Sequence, residues 1–570
     1  MRWIAAAARA RPGLVVVIVA AVWAVVETWP VAAHFGDTIY GFPGDATGSV
    51  ALYWWWEYAA RHGLSLFDNS LQGVPLGSGW DQIPFNALPM VVLTPLAVVF
   101  GPIATYNLEI LSSFPLTAGV TYLLARRLDM RPLSAAFSAL AFATVPFHIQ
   151  KAMGHAGQTH MELFPGALLF LVRWRQGGSR WNLAAAGAMG GLELWTDFYF
   201  TAILSLLVGA FFLVSLVVRT GIWQTARAQL RAHVAAAGIV LLAAAAFVPV
   251  AVVFAHRPTS SGYAQSAQNA AQPLVRSYGE LEQFSARIQF YLMPPHDNPL
   301  VPDSVRQWEI AHLHGNNFIE GELFVGYTVL LLAGGAVLVR RFQFPVVLAL
   351  AIGVVGFAFS LPPNYVVPVI KLHPPSHYMY TLVPYLRVYS RFGVLVLFGA
   401  AILAGIGYGI LQDRARSWLR PIALAAPFLL VAVEFNNLPP SHTTAILPAP
   451  AEYSWLQSQP SGTLIEYPLH GPMPGRQEIE NRQYTLYQLV HEHPMFNTAV
   501  TVGPAAERAP QLEPYYGPGV VTQLQSLGIR YVFVHRQDYV TDGNDLPQTV
   551  SGLTYVRTLA GTDIYLVDSR

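Results

Sequence analysis

Long apolar runs recur along this chain, broken by short polar or arginine-bearing segments. Many approach or exceed the roughly 20 residues needed to span a bilayer as a helix. The pattern predicts about eleven spans, at 13–33, 105–125, 133–150, 161–175, 182–197, 198–218, 234–255, 322–339, 343–360, 392–412 and 421–437. The stretch Ala87–Pro102 is also apolar but carries Pro89, Pro95 and Pro102. We read it as re-entrant or interfacial. Past residue 438 the pattern changes. Short strand-like runs, Thr463–Tyr467, Arg530–His535 and Asp563–Val567, lie between turn signals, with a helical stretch at Val520–Leu527. The expected fold class is a polytopic α-helical membrane protein, residues 1–437, followed by an extracytoplasmic α/β domain, residues 438–570.

Arginine placement fixes the expected orientation. Clusters occur before the first span, at Arg126, Arg127 and Arg131, at Arg173, Arg175 and Arg180, and at Arg219, Arg227 and Arg231. Arg340 with Arg341, and Arg414 with Arg416 and Arg420, complete the series. With eleven spans every cluster falls on one face, the cytoplasmic one. The N-terminus is then cytoplasmic, and the loops 34–86, 256–321 and 361–391, with the C-terminal domain, are extracytoplasmic.

Composition supports this class. Hydrophobic residues make up 54% of the 570 positions and charged residues only 11%. The net charge of +1 selects no partner, and nothing resembles a nucleic-acid-binding module. With no cysteine, disulfides and thiolate metal sites are excluded. There is no Gly-x4-Gly-Lys-Ser/Thr loop and no dinucleotide fingerprint, so nucleotide-driven chemistry is unsupported.

The polar residues worth singling out collect in the expected external loops. Asp37 and Asp45 flank Tyr40–Gly44, and a helix follows with Trp54, Trp55, Trp56, Glu57 and Tyr58. We expect this helix to lie along the membrane surface. Partial desolvation there would raise the pKa of Asp45 and suit a general base, whereas a plainer role is to cap the helix. Next come Lys151, His155, Gln158, His160 and Glu162. Two imidazoles spaced His-x4-His share one face of a helix and, with Glu162, have metal-ligand chemistry, or they hold a phosphate or sugar. Arg387 and Arg391 stand at the external start of the tenth expected span, against the usual bias; they suit a phosphate, or else snorkel to lipid headgroups. Lys371, His373 and His377 are near in sequence. Asp197 sits at the junction of two spans, where acids are costly. The loop 291–322 adds Tyr291, His296, Asp297, His312, His314, Asn316, Asn317, Glu320 and Glu322, in no spacing that names a chemistry.

Several short motifs, in order, resemble the GT-C superfamily of integral-membrane glycosyltransferases, in particular its YfhO-like and dolichyl-phosphate-mannose mannosyltransferase-like bacterial members. They are Gly44-Asp45 before the tryptophan-rich helix, Phe67-Asp68-Asn69 with Gly73–Gly77, Leu123–Arg127, Pro146 with Gly154-His155, Ser390-Arg391-Phe392, Leu464–Pro468 and Gly528–His535. The resemblance implies a polyprenyl-phosphate-linked sugar donor and an acceptor on the external side. It also implies a catalytic acid in the first external loop, which maps onto Asp45. Family members commonly carry an Asp-Asp or Asp-Glu pair, or a single Asp, there; this chain has no adjacent pair, which puts the single-Asp form forward. A divalent metal belongs only to some branches and is not carried over, so no cofactor is expected. On this reading Arg391, Arg387 and His155 bind the donor phosphate, and Asp37, Glu57, His160, Glu162, Asp197 and His377 are weaker substrate-binding candidates. Two rivals stay open. A lipid or polysaccharide transporter, or an assembly factor, would line a mid-membrane passage with polar groups. A polysaccharide polymerase or ligase would act without Asp45.

Overall fold

The structure is a computed structural model. It describes residues 11–77, 86–218, 226–248, 278–312, 318–364, 373–384, 386–437, 442–469, 482–499, 504–539 and 546–568. His314, Asn316, Asn317 and Lys371 lie outside them, as do Arg2, Arg9 and Arg219 of the arginine clusters.

Helices dominate up to residue 434. α1 (Pro12–Glu27) is followed by α2 (Asp45–His62), α3 (Ala87–Phe100) and α4 (Pro102–Arg127). Gly101 ends α3, and Pro102 opens α4 at the position where its missing N–H costs nothing. α5 (Pro132–Ala143) and α6 (Pro146–Ala152) meet at a 42° bend. The cause is Pro146, which holds Val145 in an extended conformation (ψ 142°). α7 (Leu163–Arg175), α8 (Trp181–Thr196), α9 (Phe198–Val217) and α10 (Ala226–Ala245) follow. After the short α11 (Phe318–Gly321) come α12 (Tyr327–Arg340), α13 (Phe344–Ser360), α14 (Val394–Arg414) and α15 (Arg420–Glu434). Among the described residues four helices are long and apolar enough to cross a membrane, and the bent α5–α6 pair makes a fifth. The other expected spans coincide with helices of 13 to 17 residues.

α14 is the buried axis of the bundle. Its glycines sit where neighbouring backbones come close: a Cβ at Gly399 would lie 2.5 Å from the Ala349 carbonyl oxygen and one at Gly407 only 1.9 Å from that of Leu332. At its C-terminal end Asp413 pairs with Arg131 and lies 4.0 Å from Arg340, so arginines from three of the clusters gather there. Arg391 precedes its N-terminal end. At 1.5 Å per residue the two ends are about 31 Å apart, the thickness of a bilayer core.

The C-terminal region forms a four-stranded sheet in the order β3-β4-β6-β5, with β3 (Thr463–Tyr467) parallel to β4 (Ile529–His535) and β5 (Leu553–Leu559) and β6 (Thr562–Val567) antiparallel. Three of these strands, and the helix Val520–Ser526, fall where the sequence pattern puts them. The region is tied to the bundle at the Arg391 end. β1 (Thr38–Tyr40) pairs antiparallel with β2 (Thr443–Ala445), and Gln72 bonds Gln488 at 3.0 Å.

The tryptophan-rich helix departs from expectation. Trp54, Trp55 and Trp56 are buried in protein, packed with residues of α3 and α4, and the Trp55 indole N–H donates to the Leu66 carbonyl. The tryptophan face of α2 is therefore packed on protein and not laid against lipid. Covering helices and the Leu66–Phe67 turn remove its aromatic face from lipid.

Candidate active site

Asp45 is the first residue of α2, and the preceding Gly44 takes the N-cap position. The Gly44 N–H is met by Thr47 Oγ1 at 3.0 Å, so the Asp45 carboxylate is not used as a cap. Its loop is pressed onto the turn after α6. Gly41 has φ +128°, and a Cβ there would lie 2.3 Å from the Met153 carbonyl oxygen; a Cβ at Gly154 would lie 3.2 Å from that of Asp45. This close approach brings His155 Nε2 to 3.7 Å from Asp45 and, on its other side, to 3.6 Å from Glu320 Oε1.

Glu320, on α11, is the hub of the cluster. Arg391 clasps it through Nε, at 3.1 and 3.2 Å from the two oxygens, and through Nη2, while Lys151 Nζ binds Oε2. Lys151 is fully buried and Arg391 only 8% exposed. The Arg391 guanidinium lies over the Tyr199 ring, 4.6 Å from its centroid, so Arg391 does not snorkel to lipid. Asp45 and Arg391, 346 positions apart in the sequence, are thus joined through His155 and Glu320. Nothing in the spacing of the loop 291–322 marks Glu320. Its preference for Arg391 and Lys151 exists only in three dimensions.

The C-terminal region adds a further residue to the cluster. Arg482, from the C-terminal region, forms a charged hydrogen bond to Asp45 Oδ1. Burial works against ionisation of Asp45, but His155, Arg482 and Arg391 together outweigh it and hold the carboxyl below its ordinary value. The raised pKa expected from desolvation is therefore overturned, because basic groups converge on this carboxylate. With 47% of its side chain accessible, it lies in an open hollow, not a sealed core. His155 is pushed down to about 4 by burial and by Lys151 and Arg391, so it is neutral at pH 7, and the arginines keep Asp45 anionic. Its buried Nδ1 has no hydrogen-bond partner among the described residues. Burial also disfavours the Glu320 anion, but Arg391 and Lys151 hold its carboxyl well below the usual range.

The remaining candidates are not directly paired with this cluster, although Asp197 lies within electrostatic reach of Arg391. His160 bonds Glu162 at 2.9 Å and Glu109 at 3.3 Å; burial lowers its pKa, but the acids raise it further, to about 10. His155 and His160 do not share a helical face, since a 3-10 turn, Ala156–Thr159, separates them and sends them into different clusters. Among the described residues no group of three acids or histidines is arranged to hold a metal ion. Asp197 caps α9, accepting from the Phe200 N–H at 2.9 Å and from Gln158. The Arg387 side chain pairs with Glu280 at 3.3 Å and lies over Phe284, outside the cluster. Glu57 pairs with Arg61, Asp37 with Thr38 and His34, and His377 stacks on His373.

No protein-family model and no curated protein sequence matches this chain. Solved structures do. The Archaeoglobus fulgidus oligosaccharyltransferase in the apo form superposes with a TM-score of 0.50 at 12% identity, over 92% of this chain and 69% of its own. The same enzyme in complex with Zn and sulfate gives 0.50 at 14%, over 97% and 73%. The arabinofuranosyltransferase AftD from Mycobacteria gives 0.56 at 14%, over 97% of this chain but only 41% of its own. At 12–14% identity the likeness is one of fold: this chain shares the fold of these solved membrane glycosyltransferases.

Proposed function

We propose that this chain is a membrane glycosyltransferase that moves a sugar from a polyprenyl-phosphate-linked donor to an acceptor hydroxyl on the extracytoplasmic side. The observation that carries the reading is the convergence of Asp45, His155, Glu320, Lys151 and Arg391 at one end of the bundle. Arg126, Arg131, Arg340 and Arg414 at the other end support a cytoplasmic assignment for that face, and hence an external site.

In the proposed step Asp45 takes the proton of the acceptor hydroxyl. The freed oxygen lone pair attacks the anomeric carbon with inversion. The bond from that carbon to the phosphate oxygen breaks, and its electron pair leaves on the lipid phosphate. Arg391 lies nearest the charge that develops, with Nη1 outside its pair with Glu320. Neutral His155 holds its Nε2 between Asp45 and Glu320 and so fixes the position of the base.

Asp45→Asn is expected to abolish transfer between purified donor and acceptor without weakening donor binding, since the base acts only on the acceptor. Arg391→Ala is expected to weaken donor binding and slow transfer together. Full activity in Asp45→Asn would refute the assignment and favour a polymerase or ligase working without this acid.

A further inference from the structure

Among the described residues, Arg482 is the cation of the cluster that the C-terminal region supplies. Its backbone is held firmly. Tyr484, two residues on, is buried and stacks on His535 with ring centroids 4.7 Å apart, and Gln488 bonds both Gln72 and the Leu71 carbonyl of the first loop, each at 3.0 Å. Its side chain runs over α2 beside Gly48, where a Cβ would meet Arg482 Cδ at 3.4 Å. The side chain is 24% exposed and ends on the accessible Asp45 carboxylate.

Two features show that this contact is not the resting place the chemistry requires. First, a base that must take a proton is poorly served by a guanidinium bonded to it, since that pair stabilises only the anion. Second, the directly paired groups are three cations, Lys151, Arg391 and Arg482, against two carboxylates, Asp45 and Glu320, with His155 neutral. Among the described residues these direct pairs hold one more cation than carboxylate. Asp197 lies within electrostatic reach of Arg391 but is not directly paired with it, its oxygens accepting from Gln158 and the Phe200 N–H. Lys151 and Arg391 are buried on Glu320, so among the described residues of the cluster Arg482 is the cation placed to turn toward an incoming anion.

We infer that Arg482 is a substrate-binding residue that exchanges Asp45 for the phosphate of the donor. Binding of the anion would then release Asp45 to act as base, so that the hydroxyl is deprotonated only when a donor is in place. The backbone anchors make this a side-chain rotation, not a movement of the C-terminal region. The inference rests on the function proposed above and adds to it a contribution from the C-terminal region.

The test measures binding of a sugar-free polyprenyl phosphate, and of inorganic phosphate, to the purified full-length chain in nanodiscs. Arg482→Gln is expected to weaken polyprenyl phosphate about tenfold or more, the scale of a charge-assisted hydrogen bond. Gly48→Val, which crowds the arginine stem without changing any charge, should weaken it in the same direction. Asp45→Asn should tighten binding about two- to fivefold, because no ion pair of the exposed kind has to be broken. That gain should vanish in the Arg482→Gln background. If the wild-type chain binds polyprenyl phosphate, but Arg482→Gln and Gly48→Val bind it equally well, the role of Arg482 falls while the donor reading stands. If the wild-type chain binds none, the donor class is wrong and the inference falls with it. If inorganic phosphate binds as tightly as the lipid, the lipid assignment is overturned.

Discussion

Glu320→Gln isolates what the hub of the cluster does. The substitution keeps the size of the side chain but removes the charge and turns one accepting oxygen into an NH2 donor facing Arg391 or Lys151. Glu320 is 7% exposed, and its two partners are 0% and 8% exposed. Losing the anion strands two buried cations, and breaking a buried ion pair costs about 3–5 kcal/mol. That is a factor of roughly 100 to 5,000 in the folded population. Purified protein in detergent, unfolded by heat and followed by tryptophan fluorescence, should show a clear loss of stability. Adding Lys151→Met should restore part of it, because one stranded charge is then replaced by an apolar side chain of similar length. Contacting residues of this kind couple by about 0.5–3 kcal/mol. The reasoning is refuted if Glu320→Gln is as stable as the wild type, or if Lys151→Met adds its own full cost in the Glu320→Gln background.

Further predictions follow from the same geometry. Asp45 faces His155, Arg482 and Arg391, with Tyr106 nearby, and its depressed pKa places the acid limb of the transfer rate below the ordinary carboxylate range; Arg482→Gln should move that limb upward in a pH–rate profile. Acid should also destabilise the site. The contribution of His155 is lost as pH falls from the ordinary histidine value near 6.5 to about 4, and those of Asp45 and Glu320 are lost as pH falls through their depressed values, which hydrogen exchange against pH would resolve. Gly41→Ala should destabilise the first loop and reduce transfer, since it meets both a positive φ and the Met153 carbonyl; a variant with wild-type stability and rate would contradict this packing. In the C-terminal region, burial disfavours the His535 cation, but its 2.7 Å bond to buried Glu466 raises its pKa overall. The stability this pair gives is present at low pH and is lost as pH rises through the raised value, and Glu466→Gln should flatten that dependence in chemical unfolding.

The hydrophobic pattern by itself determined the class of the molecule: apolar helices first, then a sheet region. It also located the helix at Pro102–Arg127 and three of the four strands of the larger sheet, because these follow from local periodicity; the expected span 133–150 is instead bent at Pro146. Asp45, His155 and Arg391 stood out because polar groups beside apolar spans are costly. The same reasoning singled out Asp37, Glu57, Arg387 and Asp197, which serve local pairs and a helix cap. Sequence position does not tell a group that reaches a shared hollow from one satisfied by its neighbour. The depressed pKa of Asp45 also reversed the local expectation, since it depends on basic groups 110, 346 and 437 positions away. The hub at Glu320 and the arrival of Arg482 were decided only by tertiary packing. Ion pairs between distant segments leave no period and no spacing in the chain; they exist because helix packing and β1–β2 pairing close those loops over one end of the bundle.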